Sequence, residues 1–126
     1  MQFPETLKYT KDHEWLRIEG DTATVGITEF AQRELGDIVY VDVSALNQPL
    51  NEGEVFGSVE AVKTVSDLFL PVAGTIVAVN ADLEDHPEYV NQDPYGNGWM
   101  VRMTLNNPAD ADSLMDAVAY KSHIGE

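Results

Sequence analysis

The sequence predicts a mainly β protein: a small antiparallel barrel or sandwich with two or three short helices, one of them C-terminal. Three observations carry this. Runs of β-favouring residues recur between turn residues, at 15–18, 22–27, 38–43, 54–60, 64–70, 75–79 and 99–105. Helical spacing is confined to short stretches near 29–35 and after Asn107. Strands and helices do not alternate in the rhythm of a parallel βαβ protein. At 126 residues, the chain (1–126) is expected to be one domain with a modest core.

The elements follow in order. Residues 15–18 and 22–27 form a hairpin across Glu19-Gly20-Asp21, where glycine supplies a positive φ. Thr28 caps a helix from Glu29 to Leu35, Glu29 suits its positive end and Gly36 stops it. In the 38–43 strand, Val39, Val41 and Val43 form the expected inward face, with Ile38, Tyr40 and Asp42 opposite. Pro49 and Gly53 break the chain into a connection. Residues 54–60 then lead up to Lys63, and residues 64–70 lead away from it. Gly53 and Gly74 flank that lysine at nearly equal distances, which suggests two similar half-units meeting there. Pro71 falls at a strand end, where its missing N–H does no harm, and 75–79 is the next strand. Residues 80–98 are the least regular, with Pro87 opening a short helix and a turn-rich Asp93-Pro94-Tyr95-Gly96-Asn97-Gly98. A loop of this length in a small domain is functional or packed. After the 99–105 strand, Asn107 caps a helix with Pro108 in its first turn, and Leu114, Met115, Val118 and Ala119 are expected on its buried face.

Composition narrows the function. The formal net charge is −15, so nucleic acid and anionic lipid surfaces repel this chain. The charge serves solubility, or steering toward basic partner surfaces. No apolar run approaches the ~20 residues of a membrane helix. The first residues lack the basic-then-apolar pattern of a secretory signal, and an arginine-rich transit segment is not seen, although a processed chain would not carry one. With no cysteine, the chain offers no disulfide, thiolate metal site or thiol nucleophile, so any sulfur chemistry has to come from a cofactor.

One stretch stands apart. Lys63 is the only basic residue between Arg33 and Arg102, an interval with twelve carboxylates from Glu34 to Asp93. It falls where two strands turn. An ordinary surface lysine in a hairpin is the plain reading of that placement. The alternative is an attachment point: a hairpin tip exposes one amine to a modifying enzyme and holds it on a rigid base. Glu60 and Asp67 flank it, whereas a Schiff-base lysine wants desolvation or a cationic neighbour. Activation of the amine is therefore expected from the modifying enzyme.

Glu60-Ala61-Val62-Lys63-Thr64, with Ser66-Asp67 and Pro71-Val72-Ala73-Gly74, resembles the modification site of lipoyl carriers, and more narrowly the glycine cleavage H-protein family. His13-Glu14-Trp15, Gly26-Ile27-Thr28, Ala31-Gln32, Leu35-Gly36-Asp37 and the segment Asn91-Gln92-Asp93-Pro94-Tyr95-Gly96-Asn97-Gly98-Trp99 are similar to that family too. The resemblance runs from about Lys8 to Tyr120. Ala61 and Ala73 stand where the family often has serine; both remain small. Biotin carriers usually place methionines on both sides of the modified lysine, and here Val62 and Thr64 stand there.

The resemblance implies a barrel-sandwich hybrid and lipoate bound covalently as lipoyl-Lys63. It implies a non-catalytic carrier, a monomer, that takes the aminomethyl group of glycine from a pyridoxal-phosphate-dependent glycine decarboxylase (P protein). The carrier delivers it to an aminomethyltransferase (T protein) and is reoxidised by dihydrolipoamide dehydrogenase (L protein). Lipoate-attaching enzymes are implied as further partners, and nucleic acid and membrane are not. The setting implied is the bacterial cytoplasm, or the mitochondrial matrix for a processed eukaryotic chain. Recognition and cleft roles fall to Glu14, Glu60 and Asp67, with Asp12 close by, where carboxylates would hold the loaded arm's amine away from water. A biotin carrier, or an interaction module whose lysine is never modified, are the competing functions.

Other constellations point nowhere in particular. His13, His86 and His123 lack zinc-ligand spacing. Asp82, Glu84, Asp85 and Glu88 lack the glycine and order of a calcium loop. Trp15 and Trp99 are expected in the core.

Overall fold

In the computed structural model, which describes residues 1–126, nine strands form two sheets paired antiparallel throughout. The larger holds β1 (Lys8–Tyr9), β2 (Glu14–Glu19), β3 (Thr22–Ile27), β9 (Val101–Leu105), β8 (Gly74–Val79) and β5 (Pro49–Leu50), side by side in the order β1-β2-β3-β9-β8-β5. The smaller holds β4 (Ile38–Val43), β6 (Val55–Ala61) and β7 (Val65–Phe69), with β6 central. Leu16 and Val25 from the first sheet and Phe56, Val59 and Leu68 from the second belong to one apolar core. The mainly β, antiparallel barrel-sandwich expectation holds.

The helix after β3 forms where the sequence puts it. In α1 (Glu29–Leu35) the Thr28 side chain accepts a hydrogen bond from the Ala31 N–H, and Gly36, at φ +80°, donates its N–H to the Gln32 carbonyl. Glu29 lies in the first turn and pairs with Arg33 one turn on, at 2.9 Å.

Four expectations about the elements need correction. The β4 face is not continuous. Ile38 pairs with Ala61 and Tyr40 with Glu60, so the register slips between them and the alternation flips. Ile38 is buried and Val39 exposed, while Val41 and Val43 still turn inward. The 48–53 connection contains β5, a two-residue edge strand on β8, where Pro49 can sit because one side of the strand is unpaired. Residues 80–98 hold two one-turn helices, α2 (Asp82–Asp85), which the sequence reading lacks, and α3 (Tyr89–Gln92). The C-terminal helix is two pieces. Asn107 caps a 3₁₀ helix, Pro108–Ser113, and Asp116 caps α4 (Ala117–His123) by accepting from the Ala119 N–H. Between them Met115 pairs with Tyr9 through N–H···O bonds in both directions, at 2.8 and 3.0 Å. That pairing rotates the buried face of α4 to Ala117 and Tyr120 and leaves Val118 70% exposed.

A second apolar cluster, Phe3, Leu7, Tyr9, Trp15, Ala117 and Tyr120, anchors both chain ends. Trp15 is fully buried as expected, with its indole N–H on the Pro94 carbonyl at 3.0 Å, and Trp99 is only half-buried under Arg102. Gly53 and Gly74 do different work. The first holds φ +82°, and the second lies where a Cβ would run into the Thr104 carbonyl. No helix is long and apolar enough to cross a membrane.

Candidate functional site

The β6–β7 hairpin carries Lys63 at its tip. The Ala61 N–H donates to the Thr64 carbonyl at 2.7 Å and closes the turn. The Val62 N–H donates to the Asp37 carbonyl at 3.0 Å, which fastens the tip to the start of β4. Farther down, a side chain at Gly57 would strike the Asp42 carbonyl, so only glycine lets β6 lie this close to β4. Lys63 itself is exposed, between exposed Val62 and Thr64. Its stem lies beside Gly36, since a Cβ there would stand 3.6 Å from Lys63 Cε. The lysine thus leans on the C-terminal end of α1.

That end of α1 is one wall of a cleft of about 330 Å³. Ile27, Phe30, Leu35, Val59 and Leu68 make its apolar lining, and Asp12, Glu14, Glu34 and Asp67 bring carboxylates to it. The volume is at the low end of the roughly 300–1,000 Å³ typical of small-ligand sites. The residue types fit an apolar chain carrying a cationic end. Glu14 and Asp67, far apart in sequence, are brought together on this cleft, with Asp12. Glu60 is not part of it; it stands on the exposed face of β6.

Glu14 is the unusual group. It is 2% exposed. Its Oε1 accepts from the Thr10 hydroxyl at 2.8 Å and its Oε2 from the Phe69 N–H at 3.3 Å. Burial pushes its carboxyl up to about 8, against the pull of those two hydrogen bonds. Burial thus favours the protonated form of Glu14. Asp67, by contrast, is exposed on the edge strand β7, at the cleft's rim.

His13 is a cleft residue that sequence reasoning missed. It has φ +70°, and its ring packs 5.0 Å from Phe30, centre to centre. His13 Nδ1 lies 2.8 Å from the Tyr120 hydroxyl, which lies 2.8 Å from Thr28 Oγ1. The fold also brings His13 and His123, unrelated in sequence, to 5.9 Å between rings. Burial, and then His123, lower the His13 imidazole, while burial pushes the Tyr120 hydroxyl up to about 12. No local pattern signals a contact of α4 with residues more than a hundred positions earlier.

The sequence model of the family described as glycine cleavage H-protein matches residues 7–126. A glycine cleavage system H protein of Bacteroides fragilis is 57% identical over 122 residues, covering 97% of each chain. One from Staphylococcus carnosus is 54% identical over 126 residues, the whole of both chains. The crystal structure of a glycine cleavage system H protein from Mycobacterium marinum superposes with a TM-score of 0.89 at 38% identity, covering 98% of this chain and 100% of that one.

Proposed function

The chain belongs to the glycine cleavage H-protein family, and from that premise we propose that it is the carrier of the glycine cleavage system, with lipoate joined to Lys63 as its swinging arm. The observation that carries the proposal is the lysine's position: exposed on a braced hairpin tip, its stem against the end of α1 that walls the cleft of Glu14 and Asp67. The biotin and unmodified-module alternatives are not favoured by this family.

Attachment is an acyl transfer. Lys63 Nζ bonds to the carbonyl carbon of an activated lipoyl donor, the activating group leaves, and Nζ gives up a proton. When bound, the group supplies a disulfide that accepts the aminomethyl unit and a dithiol that is afterwards reoxidised. The chain's own residues hold and shield. Ile27, Phe30, Leu35, Val59 and Leu68 offer the arm an apolar bed that excludes water. Glu14 releases its proton to solvent when a cationic amine arrives and, with Asp67 and Asp12, holds that amine. A charge-assisted hydrogen bond there is worth about 1.5–3 kcal/mol. Thr10 and the Phe69 N–H fix the Glu14 carboxylate for that purpose. Glu60, beside the tip, serves recognition by the attaching enzyme.

The partners that follow are the glycine decarboxylase, the aminomethyltransferase, the dihydrolipoamide dehydrogenase and a lipoate-attaching enzyme, met by a monomer in the cytoplasm of a bacterial cell. We further take residues 1–126 as one carrier domain. Peptide mass mapping after co-expression with a lipoate-attaching enzyme tests the proposal. One lipoyl amide on Lys63 is the expected result, and an unmodified Lys63 or a biotinyl increment would refute it.

A further inference from the structure

Exposed large apolar side chains gather around the lysine tip. Val62 is 75% exposed, Val65 61% and Tyr40 50%. Strand register explains why they adjoin. Tyr40 on β4 is paired with Glu60 on β6, and Glu60 with Val65 on β7. Directly paired residues of antiparallel strands point to the same face. Tyr40, Glu60 and Val65 therefore form one row across the outer face of the three-stranded sheet, next to the turn that bears Val62 and Lys63. The next row on this face is Asp42, Ser58 and Asp67, the last on the edge strand, where the outer face meets the rim of the cleft. The inward rows, Val41–Val59–Ser66 among them, face the core and the cleft.

With neighbouring strands about 4.8 Å apart, the row from Tyr40 to Val65 spans about 10 Å. It combines two apolar ends, a central carboxylate and two flanking carboxylates, with Lys63 as the only cation between Arg33 and Arg102. Large apolar side chains exposed together among carboxylates mark an interaction site.

We propose that the Tyr40–Glu60–Val65 row, with Val62, is the docking surface for the enzyme that acylates Lys63. This rests on the carrier reading above. The amide forms at Nζ itself, at the end of a four-carbon stem, so the acylating enzyme has to close around the tip and meet the adjoining sheet face. The decarboxylase and the aminomethyltransferase act at the far end of the attached arm and are under no such constraint. The enzyme surface that fits has an apolar pocket for Tyr40 and Val65, bordered by basic side chains facing Glu60 and Asp42.

The experiment measures kcat/KM for lipoylation of the full chain by a purified lipoate-attaching enzyme with lipoate and ATP, following the mass of the product. Tyr40→Glu and Val65→Glu place repulsive charge on the row, while Val118→Glu places the same charge on a distant, 70% exposed site of α4. Loss of a central apolar contact typically costs tenfold or more, so the two row variants are expected to fall about 10-fold or further and Val118→Glu to stay within about 2-fold. Thermal denaturation distinguishes lost docking from a weakened hairpin. Should a glutamate variant melt early, Tyr40→Thr and Val65→Thr keep strand-favouring residues and are expected to show the same loss in smaller degree. Row variants lipoylated as fast as the parent would overturn the inference and leave the carrier reading standing. A parent chain that gains no lipoyl group on Lys63 would remove both.

Discussion

The Phe69 backbone N–H donates to Glu14 Oε2 at 3.3 Å, and this one bond joins β2 of the large sheet to β7 of the small one. The carboxyl that faces the cleft is therefore also a bridge between the sheets, and the strand it reaches descends from the lysine tip. The proposed hold on an amine and the cleft's shape are tied to the same side chain.

Glu14→Ala removes the group proposed to hold the amine while leaving Lys63 untouched. Lipoylation is expected to proceed as in the parent, and ammonia release from the aminomethyl-loaded form is expected to accelerate. Loss of one charge-assisted bond of about 2 kcal/mol corresponds to roughly 30-fold. The decay of loaded protein, followed by ammonia assay, measures it. An unchanged lifetime would count against the role of Glu14.

The same carboxyl predicts a pH dependence. Its folded value, about 8, is above the ordinary 4.5. Between those values the folded chain keeps a proton that the unfolded chain has lost, so stability falls as pH rises through this window, by up to about 1.4 kcal/mol per pH unit. His13, lowered by burial, acts in the opposite sense, and its effect fades above the ordinary 6.5, so the decline due to Glu14 dominates from about pH 7 to 8. Urea unfolding across that interval is expected to show the decline in the parent and a flatter profile in Glu14→Gln.

Tyr120 ties α4 to the cleft wall through His13 and Thr28. Tyr120→Phe leaves two enclosed polar groups without their shared partner, at a cost of about 1–3 kcal/mol. Denaturant midpoints report it. A loss well below that range would mean that water replaces the hydroxyl.

Gly57→Ala tests the brace under the tip. The added methyl meets the Asp42 carbonyl, so β6 and β4 have to separate. A loss of about 1–3 kcal/mol is expected, with faster amide exchange at Val41 and Val59.

Much of this was legible in residues whose cues are local. Thr28 and Gly36 bound α1 because a cap and a positive-φ stop act within a few residues. The hairpin across Gly20 follows from alternation and one glycine. What eluded the sequence was set by distant partners. The slip between Ile38 and Tyr40 depends on β6, and the break before α4 depends on Met115 pairing with Tyr9. In the site, Lys63 stood out by its charge and its place at a strand turn, and the family resemblance brought in Glu14 and Asp67. Neither could show that Glu14 is buried between Thr10 and Phe69, or that His13 joins the cleft. Those are facts of two sheets closing on each other.

The most direct measurement is glycine-dependent release of carbon dioxide in a mixture of the decarboxylase, aminomethyltransferase and dehydrogenase supplied with tetrahydrofolate and NAD, with the lipoylated chain compared with Lys63→Arg. The account predicts turnover with the former and only background with the latter. Equal turnover from Lys63→Arg would contradict it.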